Sequence, residues 1–188
     1  MHLIGLDIAF TNTGMVSVHI GDDNEPILNS CMVIETSKNE TSERVSSTLD
    51  NLQRAQKIHA AIKEMFDEAR PDLVVVESMS WPRNASSATK MAMSWGAIAP
   101  LLGEIPIIEV SPQDIKLVVA GSKSASKEQV QHGVLHLIPS SAWVRDVVET
   151  QIRKASLREH CYDALGAVLA AQRTEKYRLL RAGMLQRP

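Results

Sequence analysis

The chain has 188 residues, 44% of them hydrophobic, and a formal net charge of −2. This length suits one domain with a sizeable core, and there is neither an apolar run near ~20 residues nor a signal-peptide pattern, so a soluble, cytoplasmic protein without a membrane span is expected. Two cysteines, Cys31 and Cys161, offer neither a disulfide framework nor a zinc spacing, and no internal repeat or low-complexity segment breaks the chain.

In chain order, Met1 to Asp7 reads as a short buried strand, and Met15 to Ile20 resumes as a second, with residues 8–14 as the hairpin turn. Thr11, Asn12, Thr13 and Gly14 supply the turn chemistry. Residues 26–35 read as a third strand after the turn at Asp22. Thr41 to Ala69 reads as a long helix stopped by Pro71. The run Leu73-Val-Val-Val-Glu77 has no polar alternation, as expected of a strand covered on both faces. Ser78 to Arg83 is a loop. A Met-rich helix follows over about 85–101, whose Met91, Met93 and Trp95 suit a core or a dimer contact. Ile105 to Val110 is the fifth strand. Ser141 to Lys154 is amphipathic and carries no assigned role. Leu157 to Ala171, rich in Ala and Leu, reads as a helix packed on the sheet. Three antiparallel strands, a helix, then strands alternating with helices define an α/β fold with a five-stranded mixed sheet and helices on both faces.

Two apolar strands each end in an acid, Asp7 and Glu77. A lone Asp after a strand is a turn or cap residue, but a second carboxylate at the same end of a sheet describes a site for hard divalent cations. In the late helix, His160 and Asp163 share a face, with Glu159 within one turn of Asp163. A buried acid there is either satisfied or functional, and His160 read alone is a structural histidine. Cys161 reads as a small core residue. Residues 1–80 carry 6 Lys and Arg against 13 Asp and Glu, whereas residues 151–188 carry 8 against 3, so the small net charge hides a basic C-terminal part. That part is either a phosphate-binding surface or a solvated helix face. Lys116, Lys123 and Lys127 lie in or beside a Gly-Ser loop whose amides and ammonium groups can follow a phosphate chain.

Several separated segments resemble the RuvC Holliday junction resolvases. They are Gly5-Leu-Asp7 with Thr13-Gly14, Val76-Glu77, Ser111-Pro-Gln-Asp-Ile-Lys116, Gly121 to His132, and His160-Cys-Tyr-Asp163-Ala-Leu-Gly. The likeness covers most of residues 1–171. It implies a ribonuclease H-like nuclease domain over residues 1–175, a basic tail over 176–188, and a homodimer acting on branched DNA in a bacterial cell or phage-infected host. The implied activity is metal-dependent, paired hydrolysis of phosphodiesters at Holliday junctions or other branched DNA. The implied catalytic and metal-binding set is Asp7, Glu77, His160 and Asp163, holding two Mg²⁺ or Mn²⁺ ions, with Glu159 as a rival to His160. The implied DNA contacts are Lys116, Lys123, Lys127, Trp81 and Arg83, Trp81 either stacking on an unpaired base or packing under its loop. Ile8 and Ala9 stand where the family has Pro and Gly, and His160 stands where many members have Asp. Two other readings remain: a non-catalytic binder of branched DNA, and a phosphate loop of the actin-like ATPase or sugar-kinase type at Asp7 to Gly14, which needs a second domain.

Overall fold

A computed structural model of the chain describes residues 1–38, 45–79, 84–103 and 105–185. Five strands, β1 (His2–Asp7), β2 (Asn12–Ile20), β3 (Pro26–Glu35), β4 (Leu73–Glu77) and β5 (Ile107–Val110), form one sheet in the order β3-β2-β1-β4-β5. The first three pair antiparallel, while β4 and β5 run parallel to β1. The expected mixed sheet is thus observed. Strand β5 is shorter than expected because Pro106 has no N–H to give a ladder. The β1–β2 loop is also shorter: Thr13 and Gly14 lie inside β2, paired with Ile34 and Asp7 respectively.

One face of the sheet is covered by α1 (Ser47–Ala69) and α2 (Ala85–Leu102), which bury Ile58, Ile62 and Ile98 against Ile4, Leu6, Val74 and Val76. Helix α1 starts later than the sequence suggests. Val45 and Ser46 are not helical, residues 41–44 lie outside the described residues, and Ser46 is the cap that accepts from the Leu49 N–H. Several Ser and Thr precede this helix, and each is a competent cap on paper. Its C-terminus turns left-handed at Arg70, φ 44°, directly before Pro71.

The other face carries α3 (Pro112–Ala120), α4 (Lys127–Leu137), α5 (Ser141–Gln151), α6 (Arg158–Ala171) and α7 (Glu175–Leu185). Helix α6 is the centre of this layer: its Cys161, Ala164, Leu165, Ala167 and Val168 are buried over Leu3, Val16, Val75 and Ile108. The amphipathic segment after residue 140 becomes α5, which closes the open edge of β3. Trp143 Nε1 donates to Leu28 O at 2.8 Å, and Gln151 Oε1 accepts from the Cys31 N–H at 2.6 Å. Edge groups paired in this way cannot recruit another strand.

The segment expected as a basic tail contains α7. Tyr177 is 1% exposed, its hydroxyl donates to Asn24 Oδ1 at 2.8 Å, and Arg181 donates to the carbonyls of Gly21 and Asp22 at 3.0 and 2.7 Å. A basic residue near a turn of carbonyls is used internally, which charge counting alone does not reveal. Among the described residues no helix is long and apolar enough to cross a membrane.

Candidate active site

Leu6 pairs with Val76 in parallel register, so Asp7 and Glu77 leave the sheet side by side at the C-terminal ends of β1 and β4. Helix α6 reaches the same end because two glycines give it room. A Cβ on Gly14 would stand 2.2 Å from His160 O, and one on Gly5 2.7 Å from Ala164 O. Bare backbone at these positions lets the helix lie directly on β1 and β2. Gly14 therefore serves helix contact, not the turn assigned to it from sequence. His160 Nδ1 sits 2.9 Å from Asp7 Oδ2, and donor atoms of Asp7, His160 and Asp163 lie within 4.8 Å of one another. Among the described residues this is the group able to hold a metal ion. Glu77 stands beside the trio, close enough to feel the charges of Asp7 and Asp163.

The electrostatics are those of crowded acids. Burial, then the charges of Asp7 and Asp163, push the Glu77 carboxyl up to about 7, while Lys116 pulls against them. Burial and the Asp7 charge push Asp163 up to about 6, opposed by Lys127 and His160. The hydrogen bond to Asp7 holds the His160 imidazole above its ordinary value, against desolvation. Three acids therefore share too little positive charge, the imbalance a bound divalent cation removes. Carboxylate oxygens with one imidazole fit a first-row divalent ion or Mg²⁺.

Glu159 points to the rim. Its Oε1 accepts from Lys127 Nζ at 2.6 Å and lies 3.9 Å from His160 Nε2. Lys116 on α3 is half-buried and acts on Glu77, and Lys127 opens α4 at the border of the site. Lys123 is exposed in the α3–α4 loop. Trp81 and Arg83 lie outside the described residues. The loop with Ile8 and Ala9 in place of Pro and Gly keeps a defined path: Ile8 and Phe10 are buried, and Thr13 Oγ1 donates to Ala9 O at 2.5 Å. Sequence reading passed over the residues beneath this loop, Thr36 and Arg54. Their signal was the spacing Asp50, Arg54, Ile58, Ile62, which places a guanidinium on the apolar stripe of α1.

An antiparallel three-stranded start, parallel β4 and β5, and acids gathered from β1, β4 and a late helix define the ribonuclease H-like class of fold. A family model described as crossover junction endodeoxyribonuclease RuvC matches residues 3–149, a span that holds Asp7, Glu77 and the three lysines but ends before α6. The chain belongs to this RuvC family, which takes the place of the actin-like alternative. It is 30% identical over 132 residues to the RuvC of Aliivibrio fischeri strain MJ11, covering 69% of each chain. To the RuvC of Aeromonas hydrophila it is 35% identical over 91 residues, a match that spans 53% of that relative's length. The structure of Thermus thermophilus RuvC in complex with Holliday junction substrate shares the fold, with a TM-score of 0.68 over 92% of this chain and 95% of that one at 24% identity.

Proposed function

We propose that this chain is a metal-dependent, structure-specific endonuclease that resolves four-way DNA junctions by paired hydrolysis of phosphodiesters. The observation that carries this reading is the convergence of Asp7, His160 and Asp163, with Glu77 alongside, at one end of the sheet. Family membership supplies the class of reaction, and the T. thermophilus RuvC structure is a complex with Holliday junction substrate.

Asp7, Glu77, Asp163 and His160 would hold the ions, with Asp7 central because it bonds His160 and acts electrostatically on both Glu77 and Asp163. A pair of Mg²⁺ or Mn²⁺ ions supplies, when bound, the charge that polarises the scissile phosphodiester and acidifies the attacking water. Asp7 orients His160 by accepting from Nδ1, which in the neutral ring leaves the Nε2 lone pair available to a cation. Imidazole suits softer first-row ions, so cleavage with Mn²⁺ is expected to exceed cleavage with Mg²⁺. Lys127 exchanges its Glu159 partner for a phosphate oxygen, and Lys116 and Lys123 extend the track of positive charge. Trp81 and Arg83 are proposed as further DNA contacts from their place in the sequence after Glu77. Water adds across one P–O ester bond in each of two strands, leaving a hydroxyl end and a phosphate end without a covalent enzyme intermediate.

A symmetric homodimer would place two such sites on one junction. Helix α2 supports it: Ala92, Gly96 and Ala99 are exposed, Met91, Met93 and Trp95 are half-buried, and Lys90 is its one charged residue. An exposed apolar helix face of this kind marks a partner surface.

The test is cleavage of an end-labelled four-way junction and its matching duplex, with Mg²⁺, Mn²⁺ or EDTA, by the intact protein and Asp7→Asn. Paired, metal-dependent nicks confined to the junction and absent in Asp7→Asn are expected. Junction binding without a cut in either metal would make the chain a non-catalytic binder of branched DNA.

A further inference from the structure

The loop after Asp7 is bonded inward at three successive carbonyls. Thr13 Oγ1 donates to Ala9 O at 2.5 Å, Thr36 Oγ1 to Phe10 O at 2.5 Å, and the Thr36 N–H to Thr11 O at 2.8 Å. Beneath them lies Arg54, 8% exposed. Its Nε donates to Thr36 Oγ1 at 2.9 Å and its Nη2 to Thr36 O at 3.2 Å, with Phe10 O at 3.5 Å. The guanidinium carbon stands 4.2 Å over the Phe10 ring, and Asp50, 5% exposed, brings Oδ2 to 4.0 Å from Nη1. A buried guanidinium is costly unless paired and fully hydrogen-bonded. Among the described residues, its side-chain hydrogen bonds all go to the loop or to Thr36 at the end of the strand that grips it, and Asp50 on its own helix partners the charge.

The loop also lacks the local stiffness of proline, and its residues Ile8 to Thr11 contain no glycine. Its shape is held by one local bond, from Thr13, and by the long-range bonds from Thr36 and Arg54. We propose that Arg54 is a positioning residue for Asp7: acting through Thr36 and Phe10, it fixes loop 8–11 and so aims the Asp7 carboxylate before a divalent cation arrives. His160 holds the same carboxylate from the α6 side. Preorganisation of this kind lowers the ordering cost of binding, so its loss appears as weaker cation affinity. The inference rests on the metal-binding reading given above.

Arg54→Lys keeps the charge but not the planar fork, Arg54→Met removes both, and Thr36→Val removes only the hydroxyl relay. Mn²⁺ binding is measured without DNA by electron paramagnetic resonance and calorimetry, alongside amide hydrogen exchange at Phe10 and Thr11 and thermal melting. In folded Arg54→Lys and Arg54→Met, the Mn²⁺ dissociation constant is expected to rise at least about 10-fold, the scale of a lost supporting contact at a metal site. Thr36→Val should show a smaller rise, and the Phe10 and Thr11 amides should exchange faster in all three. Half-saturating Mn²⁺ for junction cleavage should rise by the same factor, while saturating Mn²⁺ restores most of the rate. A folded variant with lowered melting temperature but unchanged Mn²⁺ affinity would overturn the proposal and leave Arg54 a purely structural residue. Should Arg54→Met not fold, Arg54→Lys and Thr36→Val decide on the same criterion. Failure of the intact protein to bind Mn²⁺ would overturn the metal reading itself, an outcome distinct from a failure of the Arg54 link.

Discussion

The two ends of the sheet treat their polar groups in opposite ways. At the end away from Asp7, partners match: Asp72 accepts from the His2 N–H at 2.8 Å, Tyr177 and Gln172 donate to Asn24, and Arg181 donates to the Gly21 and Asp22 carbonyls. Asn24 adopts φ 67°, a left-handed conformation that Asn tolerates and that these bonds hold. At the other end, three acids meet one imidazole, and two carboxyls titrate far above their usual range. One end is closed on itself, while the other carries an electrostatic conflict that a bound cation would resolve. Perturbed carboxyls gathered at strand ends are the mark of a site selected for chemistry over stability.

The largest way to break this contrast is to remove the shared acid. Asp7→Asn should lower junction cleavage by at least about 10²–10³-fold, the scale of losing one preorganised charge from a transition state, with the fold retained in circular dichroism. Gly14→Ala acts from the back. Its Cβ cannot share space with His160 O, so α6 must shift and a cleavage loss on the order of 10²-fold follows in a single-turnover assay. A smaller effect concerns pH. Cations require Glu77 and Asp163 ionised, so the half-saturating Mg²⁺ concentration should climb steeply below about pH 7, where Glu77 takes up its proton. A flat metal requirement from pH 8 to 5.5 would contradict the crowding of the acids. The smallest effect sharpens the other side of the comparison. Tyr177→Phe deletes the bond to Asn24 and should lower stability by about 1 kcal/mol in urea melts, leaving junction cleavage unchanged.

Much of this was legible in the sequence for physical reasons. Apolar runs that end in an acid fix both strand and exit point, which is why the sequence pairs Asp7 with Glu77, and the Ala-Leu pattern places His160 and Asp163 on one helix. Tertiary roles were not legible. Gly14 looks like turn chemistry in one dimension and proves to be the contact point of α6 in three. Arg54 looks like one more charge on a long helix, yet its position in the stripe with Ile58 and Ile62 takes it under the loop after Asp7. The C-terminal basic residues were read by charge alone, and only packing shows Arg181 spent on a turn. Glu159 and His160 are adjacent in sequence, and helix rotation turns the first toward Lys127 and the second toward Asp7.

On the proposed metal-binding reading, the acid-rich end of the sheet is held in conflict for the sake of a cation. Glu77 and Asp163 titrate higher folded, near 7 and 6, than the ordinary 4.5 and 3.8, so the folded chain holds more protons across that interval. The stability they contribute is complete below about pH 4 and is lost as pH rises through 6 and 7, with the Glu77 shift corresponding to roughly 3 kcal/mol. Thermal melting of the intact protein and Glu77→Gln at pH 8, each with EDTA and with Mg²⁺, measures this directly. The expected result is that Glu77→Gln melts roughly 5 °C or more above the intact protein in EDTA and gains much less from Mg²⁺. A Glu77→Gln protein that melts lower in EDTA and responds to Mg²⁺ as the intact protein does would contradict the account.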